Sequence, residues 1–170
     1  MSTELFEAID RHDLSAINKL LAQGASVEEK QEAWPYWRPI EAAVEELNTG
    51  GAVDVVKALI EAGADVNGWD VDKSLTPLHS AVYADNIEAL GLLLQAGADP
   101  TIVTDEGDTA LKYVSENRQL DAARLLLQHG AARNINQRGG PTGMTALHFA
   151  IRNLDEAMTT LLIDAGADPE

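Results

Sequence analysis

Four acidic residues within one short stretch are the part of this sequence best suited to hold a metal ion: Asp99, Asp105, Glu106 and Asp108. Carboxylate oxygens are the ligands that calcium prefers, and a calcium-binding loop places them at alternate positions around a glycine. The spacing of these four acids does not match that arrangement. The sequence therefore predicts no calcium site here.

The histidines and the glycine-rich stretch offer no better basis for catalysis. No two of the four histidines stand at metal-ligand spacing with a third ligand nearby, and the sequence contains no cysteine. A catalytic site needs a nucleophile or base held next to an orienting group, and no such set stands out. The segment Gly139–Gly143 lacks the Gly-Lys-Ser/Thr ending of a phosphate-binding loop. We therefore predict a protein that is not an enzyme and that binds no cofactor and no metal.

The strong negative charge limits which partners the surface attracts. Twenty-eight acidic against twelve basic residues give a formal net charge of −16 at pH 7. Such a surface repels nucleic-acid phosphates and anionic lipid head groups, and it attracts a basic protein. The alternative is that the acids serve only to keep the protein in solution. We predict no binding to nucleic acid or to membranes, and we favour a basic protein partner.

The N-terminal sequence and the hydropathy pattern argue against export and membrane insertion. Residues 1–7 contain two acids and no Lys or Arg, unlike a secretory signal, and no run of about 18 apolar residues occurs. The lack of cysteine fits a reducing compartment. Together these features predict a cytoplasmic protein.

A repeated pattern runs through the whole sequence. A Gly-Ala dipeptide follows each of five apolar segments, at intervals of 39, 34, 33 and 36 residues. In four of the five units, a Thr followed two positions later by Leu stands 21 residues before that glycine. The remaining unit begins with Arg38-Pro39-Ile40, 25 residues before Gly63, so it contains an insertion of four residues near positions 47–51.

Within each unit the apolar residues follow helical spacing. Before Gly97, for example, they are Ile87, Leu90, Leu93 and Leu94, which lie on one face of a helix. The glycine that follows suits a left-handed residue just past a helix C-terminus. Each unit therefore predicts a helix, a turn, a second helix and a loop, with about ten helices in total.

Two segments carry a specific resemblance. Thr-Pro-Leu-His-Ser-Ala at positions 76–81 and Leu-Leu-Leu-Gln-Ala-Gly-Ala-Asp at positions 92–99 resemble the ankyrin-repeat consensus. The resemblance extends over nearly the whole chain and implies an all-α ankyrin-repeat solenoid of stacked helix pairs with finger-like loops on one edge. We predict a single domain over residues 1–170, with repeats at about 1–27, 34–66, 72–99, 105–132 and 141–170.

Four positions depart from the family pattern at the turn between the two helices of a repeat. The family usually has glycine where this chain has His12, Asp85, Arg118 and Leu154. We therefore expect these turns to be less regular than those of other ankyrin repeats.

The resemblance also implies that a partner binds on the finger loops and on the exposed end of each first helix. All three tryptophans fall in the first two loops between repeats, and Tyr83 occupies a position that is charged in the other repeats. Aromatic rings dominate binding hot spots because they bury a large area. The alternative is that the tryptophans pack on neighbouring helices. The predicted partner-binding residues are Trp34, Trp37, Glu45, Trp69, Asp72, Tyr83, Asp105, Glu106, Asp108, Glu116, Met144 and Arg152.

We predict that the chain is a protein–protein interaction module that binds a basic protein and is a monomer when alone. One form of this hypothesis is that binding inhibits the partner. Two other interpretations stay open. One is a metal-dependent regulator or enzyme that uses the acidic loops, and the other is a purely structural repeat protein.

Overall fold

The structure, a computed structural model, describes residues 2–32, 36–69, 75–140 and 143–169. Within these ranges the chain forms ten α-helices, two short 3-10 helices and no strand, apart from the isolated bridges Val103–Thr109 and Gly139–Met144. The predicted all-α class is therefore confirmed. The α-helices are α1 Ser2–Asp10, α2 Leu14–Ala22, α3 Pro39–Glu45, α4 Val53–Glu61, α5 Pro77–Tyr83, α6 Ile87–Gln95, α7 Ala110–Glu116, α8 Leu120–Gln128, α9 Ala146–Arg152 and α10 Glu156–Asp164. The 3-10 helices are Glu46–Thr49 and Ala131–Asn134.

The chain divides into two compact units, Met1–Ala98 and Asp99–Glu170. In the first unit, α3 packs against both α1 and α5, and α4 packs against both α2 and α6. In the second unit, α7 packs on α9, and α8 packs on α10. Each unit is thus a stack of helix pairs in chain order. None of the described helices is long and apolar enough to cross a membrane. The single domain over residues 1–170 stays a prediction.

Each second helix fully buries at least one residue of its apolar segment, although in the first repeat this is Ile17, three positions before the equivalent of the other four. Ile17, Leu59, Leu93, Leu126 and Leu162 are all fully buried. In the third repeat, Leu90 and Leu94 are buried as well, whereas Ile87 is half-exposed. Ile87 is the first residue of α6, and the buried residues of this helix begin at Ala89. The apolar pattern therefore wrongly placed Ile87 on the buried face.

The turns between the two helices of a repeat are regular, so the expectation of irregular turns is wrong. The four residues that replace glycine all adopt left-handed backbone conformations, with φ between 50° and 59°. In every case the following residue donates its N–H to the carbonyl five positions earlier, at 2.9–3.0 Å. The same bond closes the second helix at glycine, as between Ala98 N and Leu93 O at 2.9 Å. A left-handed conformation costs a non-glycine residue about 1–2 kcal/mol, so stacking must compensate for strained turns.

We predict that Leu93→Ala in the first unit and Leu126→Ala in the second each lower the free energy of unfolding by about 2–5 kcal/mol, because each substitution leaves a cavity at a fully buried site. Urea denaturation followed by circular dichroism measures the loss. Leu154→Ala is the matched control, since Leu154 is 87% exposed and should change stability by less than about 0.5 kcal/mol. Equal effects at all three positions would contradict the assigned core.

Candidate partner-binding surface

The residues predicted to face a partner from the first helices are the last residues of those helices. Helix α1 ends at Asp10, α3 at Glu45 and α5 at Tyr83. Helix α3 packs against both α1 and α5, and these three residues end successive first helices; we call them the helix-end row. Tyr83 is 38% exposed, Asp10 is exposed and Glu45 is partly exposed. The first unit therefore carries two carboxylates and a tyrosine at equivalent helix ends.

The four-residue insertion adds a further acid beside this row. Glu46 begins the 3-10 helix that follows α3, and its Oε2 lies 3.0 Å from Nε2 of His12 and 2.7 Å from the hydroxyl of Thr49. The Thr49 hydrogen bond, followed by that of His12, lowers the pKa of Glu46. Sequence analysis recognised the insertion but missed Glu46 and His12 as part of this surface. The insertion itself, in a loop next to a predicted binding position, was the signal that could have found them.

Negative charge accumulates at the end of α1. Partial burial raises the pKa of Asp10, and the neighbouring charges of Glu46 and then Glu7 raise it further. The C-terminus of a helix is also unfavourable for an anion. The surroundings of Asp10 thus disfavour its charged form.

In the second unit the structure brings three of the predicted residues together. Arg152 Nη2 donates to Glu116 Oε1 at 3.0 Å, and Arg152 Nη1 lies 4.0 Å from the sulfur of Met144. The guanidinium also stands 4.6 Å from the centre of the Phe149 ring, in cation–π contact. Since Glu116 and Arg152 neutralise each other, this part of the surface is less acidic than the helix-end row.

The three predicted acids of the loop before α7 have different surroundings. Thr104 N donates to Asp108 O and Gly107 N donates to Thr104 O, both at 2.8 Å, so residues 103–109 form a tight hairpin, which we call finger 4. Asp105 and Glu106 are the exposed central residues of its turn. The Asp108 carboxylate instead pairs with Nζ of Lys112, which is only 3% exposed. Within the described residues, no group of three or more His, Asp or Glu is placed to hold a metal ion.

The tryptophan predictions are described only in part. Trp34 and Asp72 lie outside the described residues. Trp37 and Trp69 are both partly buried, and the carbonyl of Trp37 accepts a hydrogen bond from Gln31 N at 2.9 Å. Tyr36, next to Trp37, is more exposed and has a left-handed backbone, yet sequence analysis did not select it.

A buried arginine joins the loops that carry these aromatic residues. Arg38 is 6% exposed and donates from Nε to Glu41 Oε1 at 2.9 Å, while its Nη1 lies 3.4 Å from Glu28 Oε2. Its Nη2 contacts Glu41 as well and reaches the Trp69 carbonyl at 3.4 Å. A β-carbon added to Gly68 would lie 1.7 Å from Nη1 of Arg38, so any larger residue there would require the guanidinium to move. Arg38 therefore fixes the backbone positions of both loops.

The buried Arg38–Glu41 pair at the start of α3 stands where the third and fifth repeats have a threonine and a histidine. In the third repeat, Thr76 Oγ1 and His79 Nδ1 are hydrogen-bonded at 2.9 Å, and the fifth repeat has the same arrangement at Thr145 and His148. In the second repeat, Arg38 and Glu41 stand at these positions, and Arg38 N donates to Glu41 Oε2 at 2.8 Å. Both pairs close the N-terminus of the first helix.

A family model described as ankyrin repeats, in three copies, matches residues 5–104 and again residues 96–170. The chain belongs to the ankyrin-repeat family. Ankyrin repeats are protein–protein interaction modules, and the family is in general not enzymatic. The relatives of this ankyrin-repeat chain include proteins from animals, a plant and a virus. Human BCL-6 corepressor-like protein 1 is 41% identical over 99 residues, which are 58% of this chain and 5% of that protein.

Two further relatives cover more of the chain. An ankyrin repeat protein of fowlpox virus (strain NVSL) is 32% identical over 147 residues, 86% of this chain and 18% of the viral protein. Protein lin-12 of Caenorhabditis elegans is 35% identical over 118 residues, 68% of this chain and 8% of that protein. This chain thus spans less than a fifth of the length of each of these relatives.

We predict that Arg38→Met destabilises the first unit by about 3–5 kcal/mol, because it leaves the buried Glu41 carboxylate without its cation. The double variant Arg38→Thr with Glu41→His installs the threonine–histidine pair of the other ankyrin repeats and should recover more than half of the loss. Urea denaturation of both variants provides the comparison. A loss below about 1 kcal/mol for Arg38→Met would show that the network is not needed for stability.

We predict that Asp10→Asn raises the melting temperature at pH 7. A carboxyl whose folded-state pKa is raised binds its proton more tightly in the folded state, so its charged form opposes folding at neutral pH. The gain should shrink as the pH falls through the folded-state pKa and disappear below the ordinary value of 3.8. Asp13→Asn is the matched control, since it removes one charge nearby and asparagine also caps a helix. A gain that does not depend on pH would contradict this explanation.

Proposed function

We propose that this ankyrin-repeat chain is a non-catalytic binding protein that captures a partner with a basic surface and acts as its adaptor or inhibitor. The observation that carries the proposal is the helix-end row, where two acidic residues and an exposed tyrosine occupy equivalent positions at the ends of three successive first helices. An aromatic centre within a charged rim is typical of protein interfaces, because the ring buries area while the rim sets orientation and partner choice.

The distribution of charge supports a basic partner for the first unit. Residues 1–98 contain seventeen acidic and six basic residues, a net charge of −11, whereas residues 99–170 contain eleven and six, a net charge of −5. The helix-end row lies in the more acidic unit. Long-range attraction to such a surface speeds the encounter with a cationic partner and weakens as salt is added.

The surroundings of Asp10 also support a cationic partner. Its charge is opposed by burial and by Glu46 and Glu7, a cost that the folded chain bears when alone. A Lys or Arg side chain placed against the row would stabilise this charge and restore the pKa of Asp10 toward its ordinary value. Because a nearby cation favours the charged form of Asp10, binding of the partner and release of the Asp10 proton would be linked.

The proposed surface includes the loops on either side of Arg38. Trp37 and Trp69 are partly exposed, as a residue that contacts a partner must be. Tyr36 adds a more exposed ring beside Trp37. The remaining proposed contact residues are Trp34 and Asp72 from these loops and Asp105, Glu106, Glu116, Met144 and Arg152 from the second unit. For Asp108, the ion pair with Lys112 favours a role in shaping finger 4 rather than in direct contact.

We further propose that the free chain is a monomer, that it acts in the cytoplasm and that it binds neither nucleic acid nor membranes. The net charge of −16 supports the absence of binding to nucleic acid and to membranes, and it opposes self-association. The cysteine-free sequence is compatible with a reducing compartment.

Affinity capture with the whole chain, followed by mass spectrometry and purification of the recovered partner, tests the proposal. We predict that Trp37→Ala weakens the complex by about 2 kcal/mol or more, chiefly through faster dissociation, because it removes a buried ring from the interface. Neutralising Asp10 and Glu45 together should mainly slow association, and the effect should fade as ionic strength rises.

Glu61→Gln serves as the matched control, since Glu61 is exposed in the same unit but belongs to the second helix of its repeat. An acidic partner, or association that does not depend on salt, would refute the preference for a basic surface. If Trp37→Ala unfolds the chain without changing the affinity of the folded fraction, the tryptophan is a packing residue and the binding surface lies elsewhere.

A further inference from the structure

Two loops of the second unit touch each other through their backbones. Finger 4 carries Gly107, and the following loop, which we call finger 5 (residues 139–140 and 143–144), carries Gly139. A β-carbon on Gly139 would lie 1.9 Å from Gly107 O, and one on Gly107 would lie 2.9 Å from the Cα of Gly139. Gly107 also has φ of +83°. Only a pair of glycines permits this approach, because any side chain would force the fingers apart.

A buried lysine lies directly beneath this contact. Nζ of Lys112 donates to Gly107 O at 3.3 Å and pairs with the carboxylate of Asp108. The same ammonium lies 3.7 Å from the position that a β-carbon on Gly140 would occupy. One cation therefore contacts the end of finger 4 and stands next to the base of finger 5.

In two other repeats, the position of Lys112 is occupied by a histidine. His79 and His148 stand at the equivalent place, and each is hydrogen-bonded to the threonine at the start of its own helix. In the fourth repeat, Thr109 keeps the capping role by accepting from Lys112 N at 3.2 Å, while the lysine side chain extends into the finger. Helix capping thus does not explain the lysine, since the backbone N–H of any residue would serve.

We propose that Lys112 is a positioning residue that holds finger 4 against finger 5, so that Asp105 and Glu106 face a cationic segment of the partner from one rigid edge. This inference rests on the proposed function for the nature of the partner. The physical benefit is preorganisation: two acids on a fixed hairpin lose little conformational freedom when a cation binds, whereas acids on a mobile loop must be ordered first.

Amide hydrogen exchange on the free chain tests whether Lys112 holds finger 4 in place, and it needs no partner. Lys112→Met, which keeps a long side chain but removes the ammonium, should speed exchange of the Thr104 and Gly107 amides by about tenfold or more while leaving the α8 amides unchanged. Unchanged exchange at Thr104 and Gly107 would overturn the proposal.

A second variant covers the case in which Lys112→Met fails to fold. Gly139→Ala should shift the amide signals of Gly107 and Asp108 on the opposite finger, because the added methyl group collides with Gly107. Gly143→Ala is the matched control, since a β-carbon there meets nothing within 4 Å, although the residue is on the same finger and has φ of +62°. Equal shifts on finger 4 from both variants would overturn the proposal.

Binding of an oligolysine peptide at low salt then separates positioning from simple charge. Lys112→Met makes the chain more negative and exposes Asp108, so attraction by net charge alone predicts tighter binding. Positioning predicts weaker binding, by about threefold or more, with a similar loss for Gly139→Ala and none for Gly143→Ala. Tighter or unchanged binding for Lys112→Met would overturn the proposal.

The two proposals fail in different ways. If the unaltered chain does not bind oligolysine, the preference for a basic partner fails. The positioning role of Lys112 is then judged from hydrogen exchange alone. If oligolysine binds equally to the unaltered chain, to Lys112→Met and to Gly139→Ala, the preference for a basic partner stands and Lys112 has no positioning role.

Discussion

The left-handed residue at the end of each helix is the constraint on which the rest of the described structure depends. A helix pair can bury its apolar face only if the chain reverses sharply after each helix, and a left-handed residue followed by a hydrogen bond to the carbonyl five positions earlier achieves this reversal. After the second helices the residue is glycine. After the first helices it is often not: His12, Asp85, Arg118 and Leu154 adopt the same conformation at a cost in strain. Stacking of the buried leucines must exceed that cost, so the repeats are stable together rather than singly.

The first turn of the first helix shows how one structural task accommodates different chemistry. A threonine and a histidine close the helix end in two repeats, an arginine and a glutamate do so in the second, and a threonine with a lysine stand there in the fourth. The larger side chains do more than cap. Arg38 reaches the loops that carry Trp37 and Trp69, and Lys112 reaches finger 4. The positions that make each repeat fold are therefore also the positions that shape its neighbouring loops.

The carboxylate of Asp10 is placed where its charge opposes folding, whereas the pKa values of Glu46 and Asp99 are lowered. Partial burial and like charges raise the pKa of Asp10, and the chain as a whole carries −16. Residues that reduce stability and are exposed at a common position of adjacent repeats are typical of surfaces that a partner covers. In the second unit the same helix-end position carries the Glu116–Arg152 pair, which is neutral and partly packed on Phe149. The two units therefore differ in the partners they would attract.

The sequence by itself determined the helices, their order and the buried leucines, because helical periodicity and the glycine after each second helix are local properties that recur in every repeat. It also placed Asp10, Glu45 and Tyr83 at equivalent helix ends, since register alone fixes that. Only the tertiary structure decided which acids are available. Asp108 and Glu41 look like exposed acids in the sequence, yet each is paired with a buried cation supplied by a neighbouring turn. The contact of Gly107 with Gly139 and the position of Glu46 beside His12 were equally beyond sequence reasoning. The ion pairs of Asp108 and Glu41 are local in sequence, but their spacing does not show that the paired cations are buried. The other two contacts join residues far apart in the chain, and no local pattern records the distance between two loops.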